Sequence, residues 1–263
     1  MITLLTDFGT QDAYVGVMKG IIASRCPTTP VIDLTHAIPP QDIWAARFQL
    51  LTAFPYFPPK TIHVVVVDPG VGTHRRAIAL QLAAGILVGP DNGVFSGVMD
   101  RHPVLQAVEL THPAYWRTPH PSATFQGRDI FVPVAAHLAS GVAFGAIGQP
   151  IGPDSLVRLD LPPLIATDQG LEGCIQYIDH FGNAVTTIPE DRVGPDSWRL
   201  ALGPVSLTGS ATYNTVEPGA PLALVGSHGF IEIAVNQGSA QRQLGLALGD
   251  TVVLVGGRGG LGN

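Results

Sequence analysis

The sequence predicts an α/β domain followed by an all-β domain, and three patterns carry this prediction. In the first half, short apolar runs alternate with segments of helical apolar spacing. This alternation is typical of a mostly parallel sheet with helices outside it, a three-layer α/β arrangement. Residues 61–67 include four consecutive valines, as in strands covered on both faces. After Gly148, short β-like runs separated by turn signals predict a small barrel or sandwich.

The elements of the first half follow in order along the chain. Apolar runs predict strands at residues 2–6, 30–34, 61–67, 77–82 and 86–88. Helical spacing predicts helices at about 12–24, 41–54 and 127–140, with Pro133 as a first-turn or kink position. The first helix depends on an apolar stripe of Tyr14, Val17, Met18, Ile21 and Ile22.

The second half begins after a change of composition. Residues 149–164 are rich in Pro, Gly and Asp and are typical of a linker. Beyond them, strands are predicted at 173–178, 184–188, 198–202, 222–225, 230–235 and 251–255. We therefore predict an N-terminal α/β domain at 1–155, a linker at 156–166 and a C-terminal β domain at 167–263.

Composition excludes several classes of protein. The 263 residues include only 13% charged residues and 46% hydrophobic residues, which argues against a disordered chain or a coiled coil. The net charge of −6 and the lack of a basic run predict no nucleic-acid partner and no membrane partner. No apolar run reaches about 18 residues, so no membrane-spanning helix is predicted. Cys26 and Cys174 are far apart, and the N-terminus lacks the basic flank of a signal peptide, so we expect a cytoplasmic protein.

Three acidic residues fall at the ends of predicted strands, where parallel α/β sheets bind ligands. These are Asp7, Asp68 and Asp91. Each of them taken alone is more often a helix cap or a turn former. Two of them lie in unusually polar turns, at residues 7–10 and 68–73, which favours a function for Asp7 and Asp68.

Short catalytic motifs are incomplete in this chain. Asp7-Phe8-Gly9 matches the magnesium triplet of kinases but has no accompanying glycine-rich or catalytic loop, and Gly70-Val71-Gly72 lacks the third glycine of a dinucleotide fingerprint. The nine histidines are scattered, so no metal site is predicted. From the residues alone, the chain is an α/β ligand-binding domain joined to a β domain.

Seven blocks along the chain carry a more specific signal. They are Thr6-Asp7-Phe8-Gly9-Thr10-Gln11-Asp12, Thr35-His36-Ala37-Ile38-Pro39-Pro40-Gln41-Asp42, Val67-Asp68-Pro69-Gly70-Val71-Gly72, Gly89-Pro90-Asp91-Asn92-Gly93, Thr124-Phe125-Gln126-Gly127-Arg128-Asp129, Asp179-His180-Phe181-Gly182-Asn183 and Glu232-Ile233-Ala234-Val235-Asn236-Gln237-Gly238-Ser239-Ala240. In this order and spacing they resemble the S-adenosyl-L-methionine (SAM) hydrolase family. These proteins are also called SAM hydroxide adenosyltransferases and are relatives of fluorinase and chlorinase.

This resemblance implies a fold, an assembly and a reaction. It implies an N-terminal α/β domain, a C-terminal β-barrel and a homotrimer whose active sites lie between the N-terminal domain of one subunit and the C-terminal domain of its neighbour. The implied reaction is SAM plus water giving adenosine and L-methionine, with no metal and no cofactor.

The resemblance also implies residues that bind the substrate. Asp7 would accept from both ribose hydroxyls, and Asn183 would pair with the adenine edge. Asp12, Asp179 and Ser227 would hold the methionine part. Glu232 and Val235 lie on the strand that would border adenine. Apolar walls of the pocket would come from Phe8, Phe125 and Phe181.

The water-handling set of the family is Asp-Arg-His, and this chain departs from it. Asp68 and Arg75 match the first two members, but Gln126 stands where the family usually has His. Glutamine donates and accepts hydrogen bonds but takes no proton near neutral pH. Asp68 is then the remaining proton acceptor, and a neighbouring guanidinium makes a carboxylate a weaker base. We expect slow hydrolysis governed by positioning; the alternative is a SAM- or adenosine-binding protein with negligible turnover.

Two features favour hydroxide over halide as the nucleophile. Halogenating relatives carry an extra loop where this chain has the short connection Ala83-Ala84-Gly85. They also carry Ser, or another small residue in a reshaped pocket, where Gly127 stands. The resemblance therefore implies a hydrolase rather than a halogenase.

Overall fold

A computed structural model describes residues 1–194 and 197–256. The chain divides into two compact units, Met1–Leu159 and Asp160–Asn263. This division lies inside the predicted linker, residues 156–166. Among the described residues, no helix combines the length and the apolar character needed to cross a bilayer.

The first unit is built on a seven-stranded sheet with the order β2-β1-β3-β5-β4-β6-β7. Its strands are β1 (Ile2–Thr6), β2 (Val31–Thr35), β3 (Thr61–Val66), β4 (Ala77–Gln81), β5 (Gly85–Pro90), β6 (Gln106–Glu109) and β7 (Gln149–Pro150). Strands β2, β1, β3 and β5 are parallel to one another, whereas β4 is antiparallel to both β5 and β6. The mixed α/β class is confirmed, and the antiparallel β4 follows from its short link to β5, because a few residues form a hairpin but not a crossover.

Four helices cover the two faces of this sheet. They are α1 (Tyr14–Arg25), α2 (Ile43–Ala53), α3 (Ser96–Met99) and α4 (Val132–Ala139). Ile2 and Leu4 share a buried core with α1 and α4. Side chains alternate along a strand, so Thr3 points to the opposite face of the sheet. There its hydroxyl bonds to His63. The His63 ring lies 4.9 Å from the ring of Phe54, which directly follows α2, so α2 covers this second face. The three-layer arrangement is therefore confirmed.

Local structure departs from the predicted elements of the first unit in four places. The helix predicted at 127–140 begins as a π-helical turn, Gly127–Phe131, and continues as α4, with Pro133 in the first turn. The short elements β6, β7 and α3 have no prediction. They are only two to four residues long and give no readable period.

The second unit is a closed barrel. Its strands are β8 (Ile165–Thr167), β9 (Gly170–Ile178), β10 (Ala184–Pro189), β11 (Arg199–Leu202), β12 (Val205–Ser210), β13 (Pro221–Val225), β14 (Phe230–Val235) and β15 (Thr251–Val255), with the helix α5 (Ala240–Leu244) after β14. Pairing of β9 with both β15 and β10 closes seven strands into a ring, and β8 adds to its edge. The alternatives of barrel and sandwich are thereby resolved in favour of the barrel.

Candidate active site

A cleft of about 400 Å³ opens in the first unit beside the carboxyl ends of β1 and β3. These two strands are parallel neighbours, so the turns that follow them lie side by side. The cleft is lined by Asp7, Phe8, Tyr14, Gln41, Val66, Asp68, Pro69, Val71, Thr124, Phe125, Gln126 and Gly127. Five residues predicted for the site, namely Asp7, Phe8, Asp68, Phe125 and Gln126, are thus brought together.

Asp7 is held at the rim of the cleft by a strained backbone. Its Oδ2 accepts a hydrogen bond of 2.8 Å from the backbone N–H of Gln41. Gln41 has a φ of 68°, in the left-handed region that non-glycine residues seldom adopt. Such a conformation persists only where surrounding contacts enforce it, and it clusters at binding sites. The Asp7 carboxylate is therefore held in place by the backbone of Gln41.

Three aromatic rings form an apolar wall of the cleft. Ring centroids of Phe8, Tyr14 and Phe125 lie 5.7, 5.9 and 5.1 Å apart in the three pairs, at tilted or edge-on angles. The Arg128 guanidinium lies 5.1 Å from the Phe125 ring, on the same cluster. An apolar wall next to the Asp7 carboxylate suits a ligand with one flat apolar part and one hydroxylated part.

Asp68, Arg75 and Gln126 form one hydrogen-bonded group. The Arg75 Nε donates to both carboxylate oxygens of Asp68, at 2.9 and 3.0 Å, and its Nη2 also donates to Asp68. The same Nη2 donates to the Gln126 Oε1 at 2.6 Å. The side chains of Arg75 and Asp68 are only 10% and 5% exposed, so this ion pair is largely shielded from water.

The contact with Arg75 fixes the orientation of the Gln126 amide. Its carbonyl oxygen faces the guanidinium, so its NH₂ group is turned away from Arg75. An amide NH₂ only donates hydrogen bonds. Gln126 therefore offers a donor to a neighbouring oxygen, whereas Asp68 offers the acceptor of the group.

Glycine is required where the two loops of the site meet. Gly72 has a φ of +79°, and a Cβ there would lie 2.6 Å from the carbonyl oxygen of Ala123. Only a residue without a side chain permits both this backbone conformation and this approach. The close contact brings the loop of Asp68 and Arg75 against the loop of Gln126.

Asp129 clamps the loop that carries Gln126. This carboxylate is fully buried and accepts from Arg117 Nε at 2.5 Å, from Arg128 Nε and Nη2 at 2.8 Å, and from the backbone N–H of Ser122 at 2.8 Å. Burial alone would raise the pKa of Asp129, but the hydrogen bonds from Arg128, Ser122 and Arg117 outweigh it and hold that pKa well below its ordinary value. Asp129 is thus ionised and ties together both ends of the loop.

Other candidates in the first unit lie apart from the cleft lining. Asp12 is exposed just before α1, and His74 beside Arg75 is also exposed. Asp91 is buried, is paired with Arg76 Nε at 2.9 Å and accepts from the backbone N–H of Val157 at 2.9 Å. Of the three acidic residues at strand ends, Asp91 therefore anchors the segment after the sheet, whereas Asp7 and Asp68 face the cleft.

Asp179 and Asn183 share a turn in the barrel. The Asp179 carboxylate accepts from the backbone N–H groups of Phe181 and Asn183, at 2.9 and 2.8 Å, and from Asn183 Nδ2 at 3.0 Å. Gly182 makes this turn possible, because it has a φ of +85° and a Cβ there would lie 2.1 Å from Ser239 Oγ. The predicted roles of Asp179 and Asn183 in substrate binding stay predictions.

The remaining barrel candidates differ in exposure. Glu232 is buried and bonded to Tyr213 Oη at 2.6 Å and to His228 Nε2 at 2.9 Å. Burial raises the pKa of Tyr213 most, and the hydrogen bond to Glu232 raises it further, so the Tyr213 hydroxyl stays neutral. Val235 packs in the barrel core, and Ser227 is exposed in the turn between β13 and β14. Their predicted contacts with substrate also stay predictions.

Comparison with known families identifies the architecture that holds this cleft. Residues 2–148 match the SAM hydroxide adenosyltransferase N-terminal domain, and residues 173–253 match the C-terminal domain of the same family. The chain belongs to the SAM hydroxide adenosyltransferase family. The resemblance inferred from the seven sequence blocks is confirmed.

Individual relatives of the family agree with this assignment. The chain is 41% identical to an (R)-S-adenosyl-L-methionine hydrolase of Thermus thermophilus, over 95% of this chain and 98% of that protein. It is 28% identical to a fluorinase of Nocardia brasiliensis, over 96% and 95% of the two chains. A crystal structure of an uncharacterized conserved protein from Thermotoga maritima has a TM-score of 0.90 at 35% identity, covering 97% of this chain and 100% of that one.

Tyr14 and Gln41 both line the cleft, although neither is predicted from the sequence as a site residue. Tyr14 belongs to the apolar stripe of α1 and is expected in the core, yet it is 48% exposed and lines the cleft. Gln41 lies within one of the seven blocks, but nothing in its identity indicates a left-handed backbone that reaches Asp7. Tyr14 could have been found from its place at the start of α1, directly after the turn that carries Asp7.

Proposed function

We propose that this chain hydrolyses SAM to adenosine and L-methionine by in-line attack of water or hydroxide on C5′. The observation that carries the proposal is the Asp68–Arg75–Gln126 group in a cleft that also presents Asp7. Support comes from the names of relatives, because (R)-SAM hydrolases are 41% identical to the chain and fluorinases are 28% identical or less. No finding favours the alternative of a binding protein with negligible turnover.

The chemistry asks the protein mainly to position one water molecule. The bond from the water oxygen to C5′ forms as the C5′–S bond breaks, and the bonding pair stays on sulfur, which leaves as a neutral thioether. No general acid, metal or cofactor is needed for such a leaving group, so we propose that none takes part. Well-oriented reactants gain an effective molarity of ~10⁵ M or more.

Each member of the catalytic group has a role in this reaction. The Asp68 carboxylate accepts a proton from the water. The Gln126 NH₂ donates to the water oxygen and thereby fixes its direction of attack. Arg75 holds both groups at once through the bonds to Asp68 and to Gln126 Oε1. Positioning rather than strong base catalysis then sets the rate, and turnover is slow.

The substrate roles implied by the family complete the proposal. Asp7 binds the ribose hydroxyls, and Asn183, Glu232 and Val235 serve adenine. Phe8, Phe125 and Phe181 supply apolar walls, to which the cleft lining adds Tyr14. The methionine part is held by Asp12, Asp179 and Ser227.

We also propose a homotrimer with sites shared between subunits, located in the cytoplasm. Exposed apolar side chains on α1, Tyr14 at 48% and Val17 at 40%, support burial against a second copy. The free thiols of Cys26 and Cys174 support a reducing compartment. Light scattering after gel filtration tests the trimer.

An isotope experiment tests the reaction itself. Purified protein is incubated with SAM in H₂¹⁸O, the products are separated, and their masses are measured by mass spectrometry. Hydrolysis at C5′ gives adenosine with the label in its 5′ hydroxyl and unlabelled methionine. Both sulfonium epimers are assayed, because the names of the relatives specify R. Methylthioadenosine as the product, or no adenosine above a heat-inactivated control, contradicts the proposal.

The pH dependence of the rate reports the replacement of His by Gln126. Because glutamine does not titrate, we expect kcat to show no step near the histidine pKa of about 6.5. The Gln126→His variant places an imidazole beside Arg75 and gains such a step, measured as kcat between pH 5.5 and 8. A step near 6.5 in the unmodified protein means that another histidine acts in the site and contradicts this role of Gln126.

A further inference from the structure

The turn that carries Asp7 is tied to one segment of chain, residues 36–41, at three points. The backbone N–H of Gly9 donates to the carbonyl oxygen of His36 at 2.8 Å. Gln41 donates its backbone N–H to the Asp7 carboxylate at 2.8 Å. The third tie joins two side chains, since Thr6 Oγ1 lies 2.9 Å from His36 Nδ1. His36 therefore contacts both ends of the turn, before and after Asp7.

The surroundings of the His36 ring fix its hydrogen-bonding state. Its Nε2 lies 3.1 Å from Asp33 Oδ1, a close contact with the carboxylate in which the ring N–H is not aligned for a hydrogen bond, and Asp33 Oδ2 accepts from Lys19 at 2.6 Å. Burial opposes ionisation of Asp33, but the contacts with Lys19 and His36 outweigh it and lower the pKa of Asp33. An ionised carboxylate accepts only, so Nε2 carries the hydrogen, and in a neutral ring Nδ1 accepts from the Thr6 hydroxyl.

The Thr6 hydroxyl passes this orientation on to the turn. Thr6 is fully buried, and its Oγ1 accepts from the backbone N–H of Phe8 at 3.2 Å. Because the Thr6 hydroxyl donates its hydrogen to His36 Nδ1, a lone pair on Oγ1 is left to accept from the backbone N–H of Phe8. A continuous path of contacts thus runs from Asp33 through the His36 ring and Thr6 to the residue beside Asp7.

We infer that His36 is a positioning residue for nucleoside binding, which acts through Thr6 to hold the Asp7-Phe8 turn in its binding geometry. The inference rests on the proposed function, because it takes Asp7 to bind the ribose. His36 does not itself line the cleft. Its loss is therefore expected to weaken nucleoside binding and to leave the chemical step of bound substrate much less affected.

Two substitutions separate the two sides of the ring. An asparagine amide reaches the place of Nδ1, so His36→Asn keeps the contact with Thr6 and loses the one with Asp33. A glutamine amide reaches the place of Nε2, so His36→Gln keeps the contact with Asp33 and loses the one with Thr6. We expect His36→Gln to raise the KM for SAM and the Kd for adenosine about tenfold, as loss of one hydrogen bond does, with kcat within about twofold. His36→Asn restores both values to within about threefold of the unmodified protein.

The same strand offers a matched control. His63 Nδ1 lies 2.9 Å from Thr3 Oγ1, and both residues are buried, so this pair repeats the Thr6–His36 contact at the far end of β1. His63→Gln removes it and is expected to lower Tm without changing the KM or Kd. If His63→Gln and His36→Gln weaken adenosine binding equally, or if neither does, the inference is overturned.

The Kd for adenosine is measured for every variant by calorimetric titration, and Asp7→Asn in this measurement separates failure of the inference from failure of the proposed function. If Asp7→Asn leaves the Kd for adenosine unchanged, the ribose role of Asp7 fails. If Asp7→Asn weakens binding and His36→Gln does not, the role of His36 alone fails. Should His36→Gln not fold, as judged by circular dichroism, Thr6→Val removes the same bond from the other side, and an unchanged Kd there overturns the inference.

Discussion

Replacing Asp68 by Asn is expected to lower kcat for SAM hydrolysis by about 10²- to 10³-fold, while the KM changes little. Asparagine keeps the shape of the side chain but loses the charged acceptor that both orients the water and takes its proton, and loss of a positioned proton acceptor typically costs about 10²- to 10⁴-fold in rate. The change also removes the anionic partner of Arg75, whose side chain is only 10% exposed. Arg75 then no longer holds Gln126 firmly, so two parts of the catalytic group fail together. Steady-state kinetics with adenosine release as the readout measure the effect.

Asp91→Asn is the control for this prediction. Asp91 likewise follows a strand of the same sheet and is likewise buried and paired with an arginine, Arg76. Its pair lies outside the cleft lining, so its loss is expected to lower Tm and to leave the kcat of the folded protein within about twofold. A kcat within about threefold of the unmodified protein for Asp68→Asn contradicts the role assigned to Asp68.

The sequence predicts the location of the site because one topological rule applies to it. Asp7 and Asp68 end parallel strands that prove to be neighbours, and turns at the carboxyl ends of such strands meet. The same rule also predicted Asp91 as a candidate site residue, because Asp91 follows β5 in the same sheet. It could not show that Arg76, beside the antiparallel β4, neutralises that carboxylate, because pairing between distant residues leaves no periodic signal.

The limits of prediction in the fold have a similar origin. The short connection between β4 and β5 was visible in the sequence, but the strand alternation predicted only a mostly parallel sheet and did not indicate which strands run antiparallel. The barrel strands carry clear apolar runs, whereas closure of the barrel depends on β9 pairing with both β10 and β15. Closure is a property of long-range pairing, so the residues alone left barrel and sandwich open.

The orientation of Gln126 could not be predicted from its identity. As an isolated residue, glutamine presents either its oxygen or its nitrogen to a ligand. The choice is made by Arg75, 51 positions earlier, which takes the oxygen. That contact in turn needs Gly72 to let the two loops approach and Asp129 to hold the loop of Gln126. The catalytic group is therefore a product of tertiary structure rather than of one motif.

Asp129→Asn is expected to cause the largest loss of stability, about 3 kcal/mol in the free energy of unfolding of the first unit at pH 7. Breaking a buried ion pair by removing one partner typically costs this much, because the remaining groups lose their charge compensation. Urea unfolding followed by circular dichroism measures it. Arg158→Gln is the control, since Arg158 pairs with Asp100 at 3.0 Å and the two side chains are 43% and 46% exposed. Exposed pairs contribute about 1 kcal/mol or less, so the two substitutions separate burial from pairing.

The pH dependence of this loss follows from the lowered pKa of Asp129. A carboxylate whose pKa is lower in the folded than in the unfolded chain stabilises the fold fully above its unfolded pKa of about 3.9. Its contribution disappears only as the pH falls through the folded value, which lies below that. The difference in stability between the unmodified protein and Asp129→Asn is therefore expected to be constant from pH 7 to about 5 and to shrink only below about pH 4. A difference that already shrinks between pH 7 and 5 would mean that Asp129 takes up a proton there, which its three donor groups oppose.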